Sequence, residues 1–227
     1  MHRIASIEQI QGRSGNRSPK KRDEGELIPS ARGRVRVNME DGGSFIISSL
    51  KAYRLGLEEG GEVAEEAYTE ILQSLRTACM QKCGALLGNR DYSVKRMREK
   101  LCDAGYPACI IDEAVEKLER AGYLDDLRFA QSFVRSHIQD RSRLRMIRDL
   151  AQKGISGEVI EEALDAVGEE ENLEEAQRSQ IIRILRKRGF DPGTADYEEK
   201  QKTMAFLHRK GYPTEMIRRL TGSGEDW

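Results

Sequence analysis

A chain of 227 residues, 38% hydrophobic and 34% charged, is long enough to bury a core without disulfides or metals, so nothing in its composition demands a cofactor for folding. Basic and acidic residues number 38 and 39, and the formal charge of −1 excludes a histone-like protein that coats DNA by bulk charge. Aromatics at 6% beside so many charges favour a helical protein with broad solvated faces over a dense β-sandwich.

In chain order, Ile4, Ile7 and Ile10 suit a short strand over Ile4–Ile10. Gln11 to Arg32 is rich in Gly, Ser, Pro and charge, too polar to bury itself, and reads as a flexible insertion. Lys20, Lys21 and Arg22 within it read as solvated charges rather than a phosphate site. Arg34 to Met39 alternates, Ser44 to Ser48 carries Phe45, Ile46 and Ile47, and Glu40-Asp41-Gly42-Gly43 between them predicts a hairpin. A hairpin is marginal alone, so the sheet is expected to lean on the helix that follows. Leu50 to Leu57, ending near Gly60-Gly61, and Ala64 to Leu87 read as helical, and the helical pattern continues from there. Residues 1–75 thus form an N-terminal β-hairpin region with a linking helix.

An internal repeat follows. Aligned on Gly105, Gly154 and Gly211, three segments share their offsets: Leu101, Leu150 and Leu207 lie four residues before the glycine, and Ile111, Ile160 and Ile217 six after it. Met97 and Met146 lie eight before, and Ser93 and Ser142 twelve before, where each is placed to cap a helix. The offsets describe a cap, a three-turn amphipathic helix, a left-handed glycine at its end and a second amphipathic helix. A further helix precedes each pair, at Arg76–Leu87, Asp126–Asp140 and Glu170–Arg188, giving three-helix repeats over residues 76–124, 125–168 and 169–227. The third is degenerate, interrupted at Asp191-Pro192-Gly193. Such units bury apolar faces against their neighbours, which predicts a mainly α fold: three tandem three-helix repeats in an elongated, curved array, with a small N-terminal β-hairpin region.

Charge is sorted into blocks. Between residues 128 and 153, Arg128, Arg135, Arg141, Arg143, Arg145, Arg148 and Lys153 meet only Asp140 and Asp149. Residues 158–175 hold nine acids and no base, and residues 177–188 hold Arg178, Arg183, Arg186, Lys187 and Arg188 and no acid. Blocks of this kind suit a partner with charged grooves of its own.

Signals for reaction chemistry are weak. Cys79, Cys83, Cys102 and Cys109 lack the paired spacing of a zinc ribbon or a CxxC motif and read as reduced thiols in a helical core. Of the histidines His2, His137 and His208, His137 falls on an apolar helical face and reads as packed rather than catalytic. No HExxH, P-loop or nucleophile motif occurs. Asp125-Asp126 stands at a helix start, where carboxylates cap free amides and complement the dipole. The chain is therefore expected to be a non-enzyme with no metal and no cofactor. A DNA-reading helix-turn-helix would put the helix after each glycine into the major groove. Asp112, Glu113, Glu116 and Glu119 in the first repeat, and Glu158, Glu161, Glu162 and Asp165 in the second, would meet phosphate there, and only the third, with Arg218 and Arg219, suits that role. MHRIASIEQI lacks the apolar run of a signal peptide and no stretch approaches the roughly 20 apolar residues of a membrane span, so a cytoplasmic protein without a membrane partner is expected.

GYLDDLRFAQSFVRSH, from Gly122 to His137, followed by RLRMIRDLAQKGI, from Arg143 to Ile155, resembles the most characteristic stretch of the RecX family. Arg90-Asp91-Tyr92-Ser93, Gly105-Tyr106 and the helix carrying Ala114, Val115 and Leu118 are similar to that family's first repeat, and the likeness runs from Ala78 to Leu220. The hairpin followed by Gly56-Leu57 to Val63 is similar to the N-terminal region of longer members. The resemblance implies tandem three-helix repeats that bind within the groove of the RecA filament on single-stranded DNA and restrain its ATP hydrolysis, strand exchange and coprotease roles. The N-terminal insertion and the interrupted third repeat depart from the family pattern.

On a helical wheel Leu144, Met146, Ile147, Leu150 and Ala151 form one apolar sector, with Arg141, Arg145 and Arg148 opposite. In the preceding helix Phe129, Ala130, Phe133, Val134 and Ile138 make the core face, and Arg128 and Arg135 fall on the other side. A charged stripe is ordinarily a solvated face with i,i+4 ion pairs. Here only Asp140 and Asp149 are local partners, and the dominance of arginine over lysine favours bidentate contacts to phosphate or carboxylate. Under the resemblance, the basic residues of the middle repeat and of residues 178–188 are the expected contacts of a monomer to RecA or to the DNA backbone. A sequence-independent DNA binder using the same arginines, and a helical scaffold for another protein, are the rival readings.

Overall fold

The computed structural model describes residues 2–10 and 33–222. The expected insertion, with Lys20, Lys21 and Arg22, lies outside the described residues, as do residues 223–227. The chain forms two compact units, Met1–Tyr92 with Arg96–Leu124 and Ser93–Lys95 with Asp125–Trp227.

The first unit holds β1 (His2–Ile10), β2 (Arg34–Met39), β3 (Ser44–Ser48), α1 (Ser49–Arg54), β4 (Glu62–Val63), α2 (Glu65–Leu87), α3 (Val94–Asp103) apart from its first two residues, which belong to the second unit, and α4 (Ala108–Arg120). The expected hairpin is β2–β3, and the Ile4–Ile10 strand is present as β1 on the other side of β2. The sheet is antiparallel in the order β3-β2-β1-β4. Its two-residue strand β4 is too short for an alternating pattern and was not foreseen. Val35, Val37 and Met39 turn one face of β2 into the core, joined by Phe45, Ile47 and Ile4. The edge strand β3 finds a partner in the first repeat: the Ile46 amide donates to the Gly105 carbonyl at 3.1 Å, and Arg34 Nη2 donates to the Ala104 carbonyl at 2.9 Å. Helix α2 runs unbroken through the expected linking helix and the first helix of repeat one, burying Ile71, Leu75, Cys79 and Cys83 at four-residue intervals.

The second unit holds α5 (Asp126–His137), α6 (Arg143–Gln152), α7 (Gly157–Glu171), α8 (Leu173–Arg188), α9 (Tyr197–Arg209) and α10 (Thr214–Thr221). One core gathers Ala130, Val134, Ile138, Met146, Leu150 and Leu164 from α5, α6 and α7 and the segment after α5, and a second gathers Ile181, Leu185, Phe190, Leu207, Tyr212 and Ile217. Helix α5 stops three residues short of the expected Asp140, and buried Gln180 of α8 donates to the freed carbonyls of Ile138 (2.7 Å) and Arg141 (3.2 Å). The helix expected from Glu170 begins at Leu173, because Asn172 adopts the left-handed conformation (φ 50°), closing α7 and capping the Glu175 amide of α8. In the interrupted third repeat α8 ends at left-handed Gly189, and Asp196 caps α9.

The three aligned glycines have φ of 85°, 88° and 87° at Gly105, Gly154 and Gly211. Each is also closely approached, by Ile46, by Lys95 and by Leu144 with Ser142. The aligned serines meet these turns: Ser93 Oγ donates to the Lys153 carbonyl, and Ser142 Oγ to the Lys210 carbonyl, both at 2.6 Å.

Candidate interaction surface

Two caps phase the basic helices of the middle repeat. Asp125 accepts from the Arg128 amide at 2.9 Å to open α5, and Ser142 accepts from the Arg145 amide at 3.3 Å to open α6. Asp126 points elsewhere, accepting from the Val94 amide at 2.9 Å. Burial pushes its carboxyl above the usual aspartate range, the neighbouring Asp125 adds to that, and the Val94 hydrogen bond opposes it.

With that phase Met146 and Leu150 are fully buried and Ile147 packs against the core, but Leu144 is 39% exposed and Ala151 is exposed, so the apolar sector is narrower than the wheel predicts. On α5, Ala130 and Val134 are buried, as is Ile138 just beyond it, while Phe129 and Phe133 sit half-buried at the edge of the core.

The arginines divide into two sets. Arg141 Nη1 lies 2.6 Å from an Asp149 oxygen and Arg145 Nε 3.1 Å from the same carboxylate, whose side chain is only 10% exposed. Arg143 pairs with Glu161, and Arg135 with Glu170 at 2.8 Å. Glu161 and Glu170 belong to α7, which packs against α5 and α6. The acidic supply is therefore larger than the two aspartates nearby in sequence, because tertiary packing delivers carboxylates from the neighbouring acidic block. Arg128 and Arg148 are exposed. Among the described residues no carboxylate stands within ion-pair reach of Arg148, Arg183, Arg186, Lys187 or Arg188, all of them exposed; Arg178 pairs with Glu175 at 3.3 Å.

Cation-flanked aromatic rings were not foreseen. Lys153 Nζ lies 5.5 Å from the Phe133 ring centre and 5.9 Å from that of Phe129, and the Arg141 guanidinium 5.4 Å from Phe133. In the third repeat the Arg188 guanidinium lies 4.4 Å and Lys210 Nζ 5.1 Å from the Phe206 ring centre. The sequence carried one signal for this: lysine precedes the repeat glycine at both Lys153 and Lys210.

Several other polar groups have partners within the chain. His137 packs edge-on against Phe133, with ring centres 4.5 Å apart. Asp112 and Glu113, which speak against groove insertion of α4, are ion-paired to Arg98 and to Arg76, the latter bidentate at 2.6 and 2.9 Å. Cys79 and Cys83 are buried one turn apart; their mutual hydrogen bond pushes the Cys79 thiol up, with burial adding to it, and draws that of Cys83 down. Cys102 and Cys109 are exposed, contrary to the expectation of four core thiols. They lie late in α3 and early in α4, off the buried stripes of those helices. Among the described residues no group of three His, Cys, Asp or Glu side chains is placed to hold a metal, and no helix is long and apolar enough to cross a membrane.

These features define a mainly helical protein of tandem three-helix repeats that presents cationic surfaces. Models of the first, second and third three-helix domains of RecX match residues 79–118, 125–164 and 175–221, and the chain belongs to the RecX family. It is 36% identical to the regulatory protein RecX of Trichlorobacter lovleyi over 138 residues, 60% of this chain and 88% of the relative. It is 29% identical to the regulatory protein RecX of Halorhodospira halophila, covering 62% of this chain and 84% of that one. The fold is shared with a crystal structure of a regulatory protein RecX (TM-score 0.59, 18% identity, 98% of this chain and 100% of that one). It is shared also with that of RecX from Lactobacillus salivarius (TM-score 0.55, 18% identity, 68% and 97%).

Proposed function

We propose that this chain regulates RecA by binding its filament on single-stranded DNA, acting in the cytoplasm as a monomer without reaction chemistry of its own. Beside the family membership, the observation that carries this reading is the exposed cationic set, Arg148 with Arg183, Arg186, Lys187 and Arg188, which internal carboxylates leave unmatched among the described residues. Guanidinium forks suit bidentate contact with RecA carboxylates or DNA phosphates. Arg135, Arg141, Arg143 and Arg145 shape the same repeat through their ion pairs. Occupying the filament groove, or bridging its protomers, would restrain ATP hydrolysis, strand exchange and coprotease activity together.

The test is RecA ATP hydrolysis on single-stranded DNA titrated with the purified chain. Wild type is expected to slow hydrolysis, and the triple variant Arg183→Glu, Arg186→Glu, Lys187→Glu to need a higher concentration for the same effect. No effect of wild type would overturn the reading. A second reading, direct DNA binding, is favoured by one feature, the Phe206 ring flanked by Arg188 and Lys210, since aromatic faces among cations hold single strands. It predicts binding to DNA without RecA, with affinity falling steeply as salt rises.

A further inference from the structure

Within the second unit, residues of α7, α8 and α10 line an open-mouthed groove of about 470 Å³, inside the roughly 300–1,000 Å³ range of ligand pockets. The buried lining that forms its floor is mostly apolar: Leu164 is 1% and Met216 8% exposed, with Leu173 half-buried beside them, Gln177 the one buried polar side chain and Pro213 exposed at the edge. Asp165, Glu169, Glu174 and Glu215 line the same groove, and all four are exposed. Among the described residues Asp165, Glu169 and Glu215 have no cation within ion-pair reach. The one lining cation, Arg219, stands 4.0 Å from Glu174 with both side chains about two-thirds exposed or more, a solvated pair that leaves the rim net negative. None of the basic residues assigned to the filament contact lines this groove.

We infer that the groove docks a basic, aliphatic segment of another protein, with a leucine- or isoleucine-sized side chain on the floor and flanking lysines or arginines at the rim carboxylates. The apolar floor supplies burial and the low-dielectric wall that focuses the rim's field, and the negative rim selects cations and repels phosphate or an acidic peptide. A bare metal ion would leave the apolar floor unused. The acidic block of residues 158–175, too long to serve only as ion-pair partners for α5 and α6, thereby gains a partner.

The test uses the full chain and three fluorescent hexapeptides, KRLLKR, its acidic counterpart EELLEE and its polar counterpart KRSSKR, read by anisotropy. Wild type is expected to bind KRLLKR about tenfold or more tighter than either counterpart, and the double variant Glu169→Lys, Glu215→Lys to lose about tenfold or more of that affinity. Both substituted side chains are exposed, and an unchanged unfolding midpoint verifies the fold. The Gly168 and Leu173 amides are expected to shift in NMR spectra when the peptide binds. No binding by wild type, equal affinity for all three peptides, or shifts confined to other helices would each overturn the inference. So would a concentration-dependent dimer that the double variant abolishes, since the groove would then hold a second copy of the chain. RecA is absent from every arm, so this result is independent of the filament reading.

Discussion

Ser142 Oγ donates to the carbonyl oxygen of Lys210 at 2.6 Å, joining the cap of α6 to the turn in which Gly211 stands. Ser93 makes the same bond to Lys153, just before Gly154. A returning bond accompanies each: Asp126 accepts from the Val94 amide, and Gln177 accepts from the Arg143 amide at 3.4 Å. Serine and glycine, aligned twelve residues apart within a repeat, thus also meet within the second unit, where Ser142 and the Gly211 turn are the two halves of a joint between the middle and third repeats. Both serines are buried. Ser142→Ala removes the acceptor for the Arg145 amide and the donor to Lys210 at once, with an expected loss of about 1–3 kcal/mol. Urea unfolding checks it: the midpoint should fall with the slope unchanged. An unmoved midpoint would sink the joint.

The glycines carry a double requirement. A Cβ at Gly105 would lie 2.9 Å from Ile46 Cβ, at Gly154 2.5 Å from Lys95 Cβ, and at Gly211 2.7 Å from Leu144 Cβ, atoms that no side-chain rotation withdraws. The left-handed conformation alone costs a non-glycine residue about 1–2 kcal/mol, and the clash adds to it. Gly105→Ala, Gly154→Ala and Gly211→Ala should therefore each lower stability by more than about 2 kcal/mol. Gly122→Ala, where φ is 71° and nothing lies within 4 Å of a Cβ, should lose only the conformational part. Denaturation midpoints of the four variants decide this, and equal losses would refute the close approach.

Asp126 predicts a pH effect. Burial raises its carboxyl above the unfolded value, so the folded state holds that proton more tightly. The contribution to stability is complete below the unfolded carboxylate range and is lost as pH rises through the folded pKa. At neutral pH the half-buried charge is a cost offset by the Val94 amide. Gln177 does the same work with a neutral amide. Asp126→Asn keeps the acceptor and removes the charge, so its melting temperature at pH 7 should equal or exceed that of wild type. Asp126→Ala should lose about 1 kcal/mol. Melting curves across the acidic range should be flatter for Asp126→Asn, and a large loss in that variant at pH 7 would contradict the desolvation argument.

What was legible in the sequence was local. The hairpin, the caps at Asp125 and Ser142 and the left-handed glycines follow from period and offset within one or two helical turns. Strand β4 has two residues and no period to read. The break at Asn172 hides inside a continuous acidic helical pattern, since asparagine enters the left-handed region without the sequence signature of glycine. Of the basic stripe, Arg128 and Arg135 lie on α5, Arg145 and Arg148 on α6 and Arg141 in the turn between them, and its ion pairing was not legible. Arg143 with Glu161 and Arg135 with Glu170 depend on which face of α7 turns toward α5 and α6, a tertiary fact.

That division of the arginines separates two phenotypes that look alike in sequence. Arg141 and Arg145 share the Asp149 carboxylate, which is nearly buried, so Arg141→Glu sets two negative charges against each other where water screens them poorly. Its stability should fall by about 3 kcal/mol or more, and any loss of binding would accompany unfolding. Arg183, Arg186 and Lys187 are exposed and have no carboxylate partner among the described residues, so reversing them should change stability by no more than about 0.5 kcal/mol each. Their loss should instead weaken binding to RecA filaments and flatten its salt dependence, because fewer counterions are exchanged on contact. Measuring the urea midpoint and the filament affinity at two salt concentrations for both variants separates the cases. Equal destabilisation of the two variants, or undiminished salt sensitivity in the α8 variant, would show that the exposed cations of α8 are not the binding set.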